Sequence, residues 1–142
     1  MRKVLASILG LLLAANGVFM LADPAAWYGA VPGVAMTGPL NPHFVRDIGC
    51  AYLTSGAALI WFAFDGRARW AAFAGGVFLA LHALVHLADA ASGRETVDRF
   101  VNDLLPVFVP AALALWLAWP GPMFEKERQH VEMADPATSR RV

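Results

Sequence analysis

A transmembrane four-helix bundle is the all-α fold this sequence predicts, and three observations predict it. The 142-residue chain is 58% hydrophobic with a mean hydropathy of +0.54, above the roughly 45–50% apolar share of soluble domains. Its apolar residues fall into four runs, each near the roughly 20 residues that cross a hydrocarbon layer about 30 Å thick. The links between runs are rich in Pro, Gly and charged residues, which punctuate helices. The partner implied by this composition is the lipid bilayer. Eleven basic and eleven acidic residues cancel, so no basic surface recommends nucleic acid. The single cysteine, Cys50, excludes an internal disulfide framework and any cysteine-rich zinc or iron-sulfur site.

The first span, about residues 4–22, follows Met1-Arg2-Lys3 and resembles a secretory signal at its basic start. Its length suits a bilayer better than a signal core, and three further runs follow, so the segment is expected to stay attached. Asn16 sits inside it, where a lone amide more often bonds a neighbouring helix than a ligand. The stretch from Asp23 to Pro42 is dense in Pro and Gly and reads as a loop. Within it, Trp27 and Tyr28 suit the headgroup level.

Asn41-Pro42 opens the second span, about residues 43–64, because proline fits the first turn of a helix. His43, Asp47, Cys50 and Thr54 recur at spacings of four, three and four, which puts them on one helical face. Ser55-Gly56-Ala57 would let another helix come close. After the short link Asp65 to Arg69, the third span, about residues 70–91, carries His82, His86 and Asp89. At about 100° per residue these three also point one way. Ionisable groups within a span are costly unless paired or turned inward, so they are candidate functional residues.

RETVDRF, residues 94 to 100, reads as a short polar loop before a fourth span at about 101–119. Pro106 and Pro110 would remove backbone hydrogen bonds from that helix and bend it. Asn102 and Asp103 stand where a side chain caps a first turn. The membrane domain thus covers residues 1–122. A polar tail, 123–142, is expected to lie in the cytoplasm and fray in water, taking His130 with it.

Four spans put both termini on one side, together with Arg2, Lys3, Arg67, Arg69, Lys126, Arg128, Arg140 and Arg141, against Arg46, Arg94 and Arg99 on the other. The positive-inside rule therefore places both termini in the cytoplasm. Under that topology His43, Asp47, His82, His86, Asp89 and Asp103 gather in the outer part of the bilayer, from three spans. Because spans two and three are joined by a short link, their outer ends are expected to meet face to face, with Asp103 from span four beside them.

Those six residues are the candidate ligands of a transition-metal site. Imidazole suits copper, zinc and iron, and carboxylates add oxygen donors or orient a ring nitrogen. His82 and His86 have the i, i+4 spacing of a helical metal pair, but Ala83 stands where a metalloprotease carries its glutamate, so hydrolysis by that mechanism is not supported. A haem-binding or other redox-associated subunit is a second reading, although Asp47 and Asp89 would burden a buried macrocycle with charge. A proton relay or transport accessory is a third; with no polar residues in the inner half, it would require a second copy or a membrane partner subunit. A polar network that fixes helix register, with no ligand, is a fourth. No motif assigns a reaction.

The segments NPHFVRDIGCAYL and LHALVHLAD, within residues 1 to about 120, resemble the small four-span bacterial membrane proteins of the DoxX-like group. The resemblance implies a four-helix bundle in the bacterial inner membrane. It also implies a respiratory or oxidoreductase connection in some relatives, and it transfers no catalytic residue.

Overall fold

The structure is a computed structural model and describes residues 1–119. The tail and His130 lie outside those residues. Among the described residues every regular element is helical: α1 (Arg2–Ala22), α2 (Pro24–Ala30), α3 (Pro42–Phe64), α4 (Arg69–Ala91), α5 (Val97–Asp103) and α6 (Val109–Ala118). A π-helical turn, Leu104–Phe108, joins α5 to α6, so Val97–Ala118 forms one apolar rod. That rod, α1, α3 and α4 are each long and apolar enough to cross a bilayer, as the four runs predict.

Local chemistry sets the helix ends. The Asn41 carboxamide accepts hydrogen bonds from the backbone N–H groups of His43 and Phe44 at 3.1 and 3.2 Å, and Pro42 occupies the first turn of α3. Asp23 caps α2 by accepting from Ala26 N–H at 2.9 Å, so part of the expected loop is a short helix. At the far end of α4 the Gly93 N–H donates to the Ala90 carbonyl and the Arg94 N–H to the Asp89 carbonyl. Gly93 has φ +73°, the left-handed conformation that this helix-terminating pattern requires.

α1 and α3 are antiparallel and pack backbone against backbone. A methyl group on Gly10 would lie 2.8 Å from the Gly56 carbonyl oxygen, and one on Gly17 would lie 2.7 Å from that of Gly49. The two pairs are one heptad apart on both helices, the repeat of a left-handed crossing. The remaining spans use the same device more loosely. Gly75 of α4 faces Ser55 of α3, while Gly76 faces Ala114 and Leu115 of α6. Leu9, Leu13, Leu59, Leu79 and Leu117 fill the space between the helices. With no hydrophobic force between helices in lipid, such close packing is what holds the bundle together.

Cross-links identify the two ends. Arg2 donates to the Trp116 carbonyl at 2.9 Å and lies over its ring, so the start of α1 adjoins the end of α6. Trp61, Phe64, Trp70, Trp116 and Trp119 are exposed at that end, near Arg67, which suits an aromatic belt at the headgroup level. At the opposite end Arg46 donates to the Leu21 carbonyl at 3.3 Å and Arg99 to the Gly33 carbonyl at 3.2 Å. This second end collects Asp23, Asp47, Asp89, Glu95, Asp98 and Asp103. Asn16 bonds to this end too, accepting from the Trp27 indole at 2.9 Å, so its partner is α2 and not another span.

Candidate metal centre

The site is built where α4 turns back into α5. The Gly93 turn reverses the chain, and Thr96 starts α5 by accepting from the Arg99 N–H at 3.4 Å. The helix therefore begins four residues before the expected position 101. Its start was masked by the polarity of RETVDRF, although Thr96 followed by Asp98 in the first turn is a helix-start signal. Asp103 is consequently nearly two turns inside the rod and caps nothing. It is free to reach α4.

It does so at His86. The His86 Nδ1 and Asp103 Oδ2 atoms are 2.8 Å apart, and the two side chains are only 23% and 20% exposed. Asp103 ends α5 against the π turn, in which Val109 N–H donates to the Leu104 carbonyl five residues back. Pro106 and Pro110 explain that turn, because neither can donate to the carbonyl four residues before it. π turns of this kind recur beside functional sites.

Glu95, which the sequence pattern assigns to a loop, completes the group. One ligand atom each from His86, Glu95 and Asp103 lie within 4.8 Å of one another, and all three residues are half-buried. The Glu95 side chain is 6% exposed. Its Oε1 is 3.3 Å from Arg99 Nη2, whereas its Oε2 is buried with no hydrogen-bond partner among the described residues. A buried carboxylate oxygen left unsatisfied is costly and calls for an explanation. Glu95, Arg99 and Asp103 are four residues apart in succession, a signal that would have recruited Glu95 had the helix start been recognised.

His82 borders the group on its inner side. Its ring centroid is 4.9 Å from that of His86, and it packs edge-on to Tyr52 and stacks on Phe78 at 5.9 and 6.3 Å. It touches the site through His86 and is not one of the three residues whose ligand atoms converge.

The remaining expected members lie elsewhere, so the expectation of a site shared by spans two and three is corrected. His43 and Asp47 pair with each other at 3.5 Å, with side chains 88% and 59% exposed. The reason is helical register. Val45, Gly49, Gly56 and Leu59 form the buried face of α3, and at about 100° per residue His43, Asp47, Cys50 and Thr54 fall on the opposite side. Asp89 is held by Arg94 Nη1 at 3.0 Å, away from the converging group.

No family model, curated protein or solved structure matches the chain. One imidazole and two carboxylates are brought together by a turn and two helices, with the Arg99 guanidinium beside Glu95. A nitrogen donor and two carboxylate donors are a ligand set that suits a divalent ion.

Proposed function

We propose that this protein is a bacterial inner-membrane protein that binds a transition-metal ion at His86, Glu95 and Asp103. The observation that carries the proposal is the convergence of three ligand atoms within 4.8 Å, with a buried Glu95 oxygen that has no hydrogen-bond partner among the described residues. The two carboxylates carry a formal charge of −2, of which Arg99 beside Glu95 offsets one, and the remaining negative charge favours a cation. The donors are nitrogen and oxygen without sulfur, so iron(II) or zinc suits them better than copper(I). His82 is the neighbouring group that orients the His86 ring by packing.

The same proposal sets the topology. Arg2, Lys3, Arg67 and Arg69 mark the cytoplasmic end, and the acidic end with the metal centre faces outward. The inner-membrane setting is what the DoxX-like resemblance implies. A reporter active only in the periplasm, fused after Val142, should be inactive; activity would reverse the orientation.

Elemental analysis of the purified full chain, with its absorption spectrum, tests the metal. Near-stoichiometric iron or zinc without a Soret band is expected. A Soret band would establish haem in its place, and a metal-free protein that takes up no divalent ion would leave a structural polar network.

A further inference from the structure

Arg99 stands at a junction that a passive surface charge would not occupy. Its Nη2 atom is 3.3 Å from Glu95 Oε1 and 3.2 Å from the Gly33 carbonyl oxygen, 66 residues away in sequence. The Arg99 side chain is mostly buried, at 26% exposure. Gly33 is in the left-handed conformation, φ +85°, and a methyl group there would come within 3.6 Å of the guanidinium. One nitrogen thus holds both a carboxylate of the candidate metal centre and the backbone of the Pro/Gly loop.

We propose that Arg99 is a built-in counter-cation that competes with the metal for Glu95 and reports metal loading to the loop between α2 and α3. The inference rests on the metal centre proposed above. In the structure Arg99 pairs with Glu95 through Oε1, and Oε2 has no hydrogen-bond partner among the described residues. A divalent ion bound between His86, Glu95 and Asp103 takes over the Glu95 charge and repels the guanidinium a few ångströms away. The bond to Gly33 uses the same nitrogen, so it weakens as the arginine withdraws. The loop around Val34–Met36 is closed over this end by few other ties, chiefly the Tyr28 hydroxyl, which donates to the Gly38 carbonyl, and short turn bonds. It is therefore the segment able to respond. No chemical step is involved: a cation replaces a cation, and the consequence is mechanical.

The alternative role for Arg99, holding Glu95 in place for the metal, has the opposite sign. A positioning arginine would weaken metal binding when removed, whereas a competing one would strengthen it. The experiment titrates Zn2+, and separately Fe2+ under anaerobic conditions, into the full chain in lipid nanodiscs, and follows hydrogen exchange of the loop amides 31–38. Arg99→Gln is expected to bind the ion about tenfold more tightly than wild type, and Arg99→Lys, which keeps the charge, to stay close to wild type. Metal should speed loop exchange in wild type and leave the already faster exchange of Arg99→Gln unchanged.

Equal or weaker binding by Arg99→Gln would overturn the inference, as would a wild-type loop indifferent to metal. Tighter binding by Arg99→Lys equal to that of Arg99→Gln would also overturn it, because charge would not be the cause. In each of these cases wild type still binds the ion and the metal centre stands. A wild type that binds neither ion fails at the metal centre itself.

Discussion

Two His/Asp pairs lie toward the same end of this molecule, and they differ in everything but composition. His43 and Asp47 are 3.5 Å apart on the outer face of α3, largely exposed, and pair with each other. His86 and Asp103 are 2.8 Å apart across two elements, mostly buried, and are joined by a second acid, Glu95. The comparison teaches that spacing assigns residues to a shared helical face, while packing decides whether that face is inside. On α3 the glycines that let α1 approach, Gly49 and Gly56, claim the inner face and turn His43 outward. On α4 the inner face faces α5, and the Gly93 turn brings Glu95 back to it.

The largest contrast is expected from breaking each pair. Asp103→Ala leaves the half-buried His86 without its partner and should lower stability by about 1–3 kcal/mol, whereas Asp47→Ala should change it by no more than about 0.5 kcal/mol, as exposed pairs do. Denaturant or thermal unfolding in the same detergent measures both. Equal losses would dissolve the distinction between the two pairs.

Next in size is the packing that creates the distinction. Gly17→Leu places a side chain where the Gly49 carbonyl already lies 2.7 Å from a bare methyl, and overpacking of this kind costs typically about 1–3 kcal/mol. If α1 is pushed away, Cys50, exposed on α3 in the wild type, should keep its reactivity toward a maleimide while the protein melts earlier. Protection of Cys50 in the variant would mean that α3 has rotated and that its outward face is not set by the glycine pairs.

The smallest effect belongs to the opposite end. Arg67 donates to the Asp65 carboxylate and holds its carboxyl below the usual carboxylate range, first through the side-chain hydrogen bond and then through the Arg67 N–H. A folded-state value below the unfolded one means that the stabilisation is present above the unfolded value and is lost as pH falls through the folded one. The Asp65 side chain is 30% exposed and that of its partner Arg67 is 91% exposed, so solvent screens the pair and the effect is small. Asp65→Asn should slightly flatten the acid limb of the stability profile and leave metal binding unchanged.

The fold was legible because hydropathy and turn residues are local properties. The four runs, the Asn41-Pro42 start and the Gly93 stop all follow from residues near the feature they determine. The site was legible only in part. His86 and Asp103 stand out as ionisable groups in apolar spans, but Glu95 is surrounded by Arg94, Thr96 and Asp98 and carries no contrast with its neighbours. Its role depends on the turn geometry at Gly93 and on where α5 begins. His43 and Asp47 carry the same periodic signal as His82 and His86, and only the α1 contact, between residues more than 30 apart, tells the two faces apart. The pairing of Gly10 with Gly56 and Gly17 with Gly49 is equally non-local.

The most direct measurement is the metal-dependent shift in melting temperature of four proteins side by side: wild type, His86→Ala, Glu95→Gln and His43→Ala. An ion that binds only the folded chain stabilises it, by about 2.7 kcal/mol at a free concentration one hundred times its dissociation constant. Wild type and His43→Ala are expected to gain equally with iron(II) or zinc, while His86→Ala and Glu95→Gln lose most of that gain. Equal shifts in all four proteins, or a loss confined to His43→Ala, would contradict a metal centre at His86, Glu95 and Asp103.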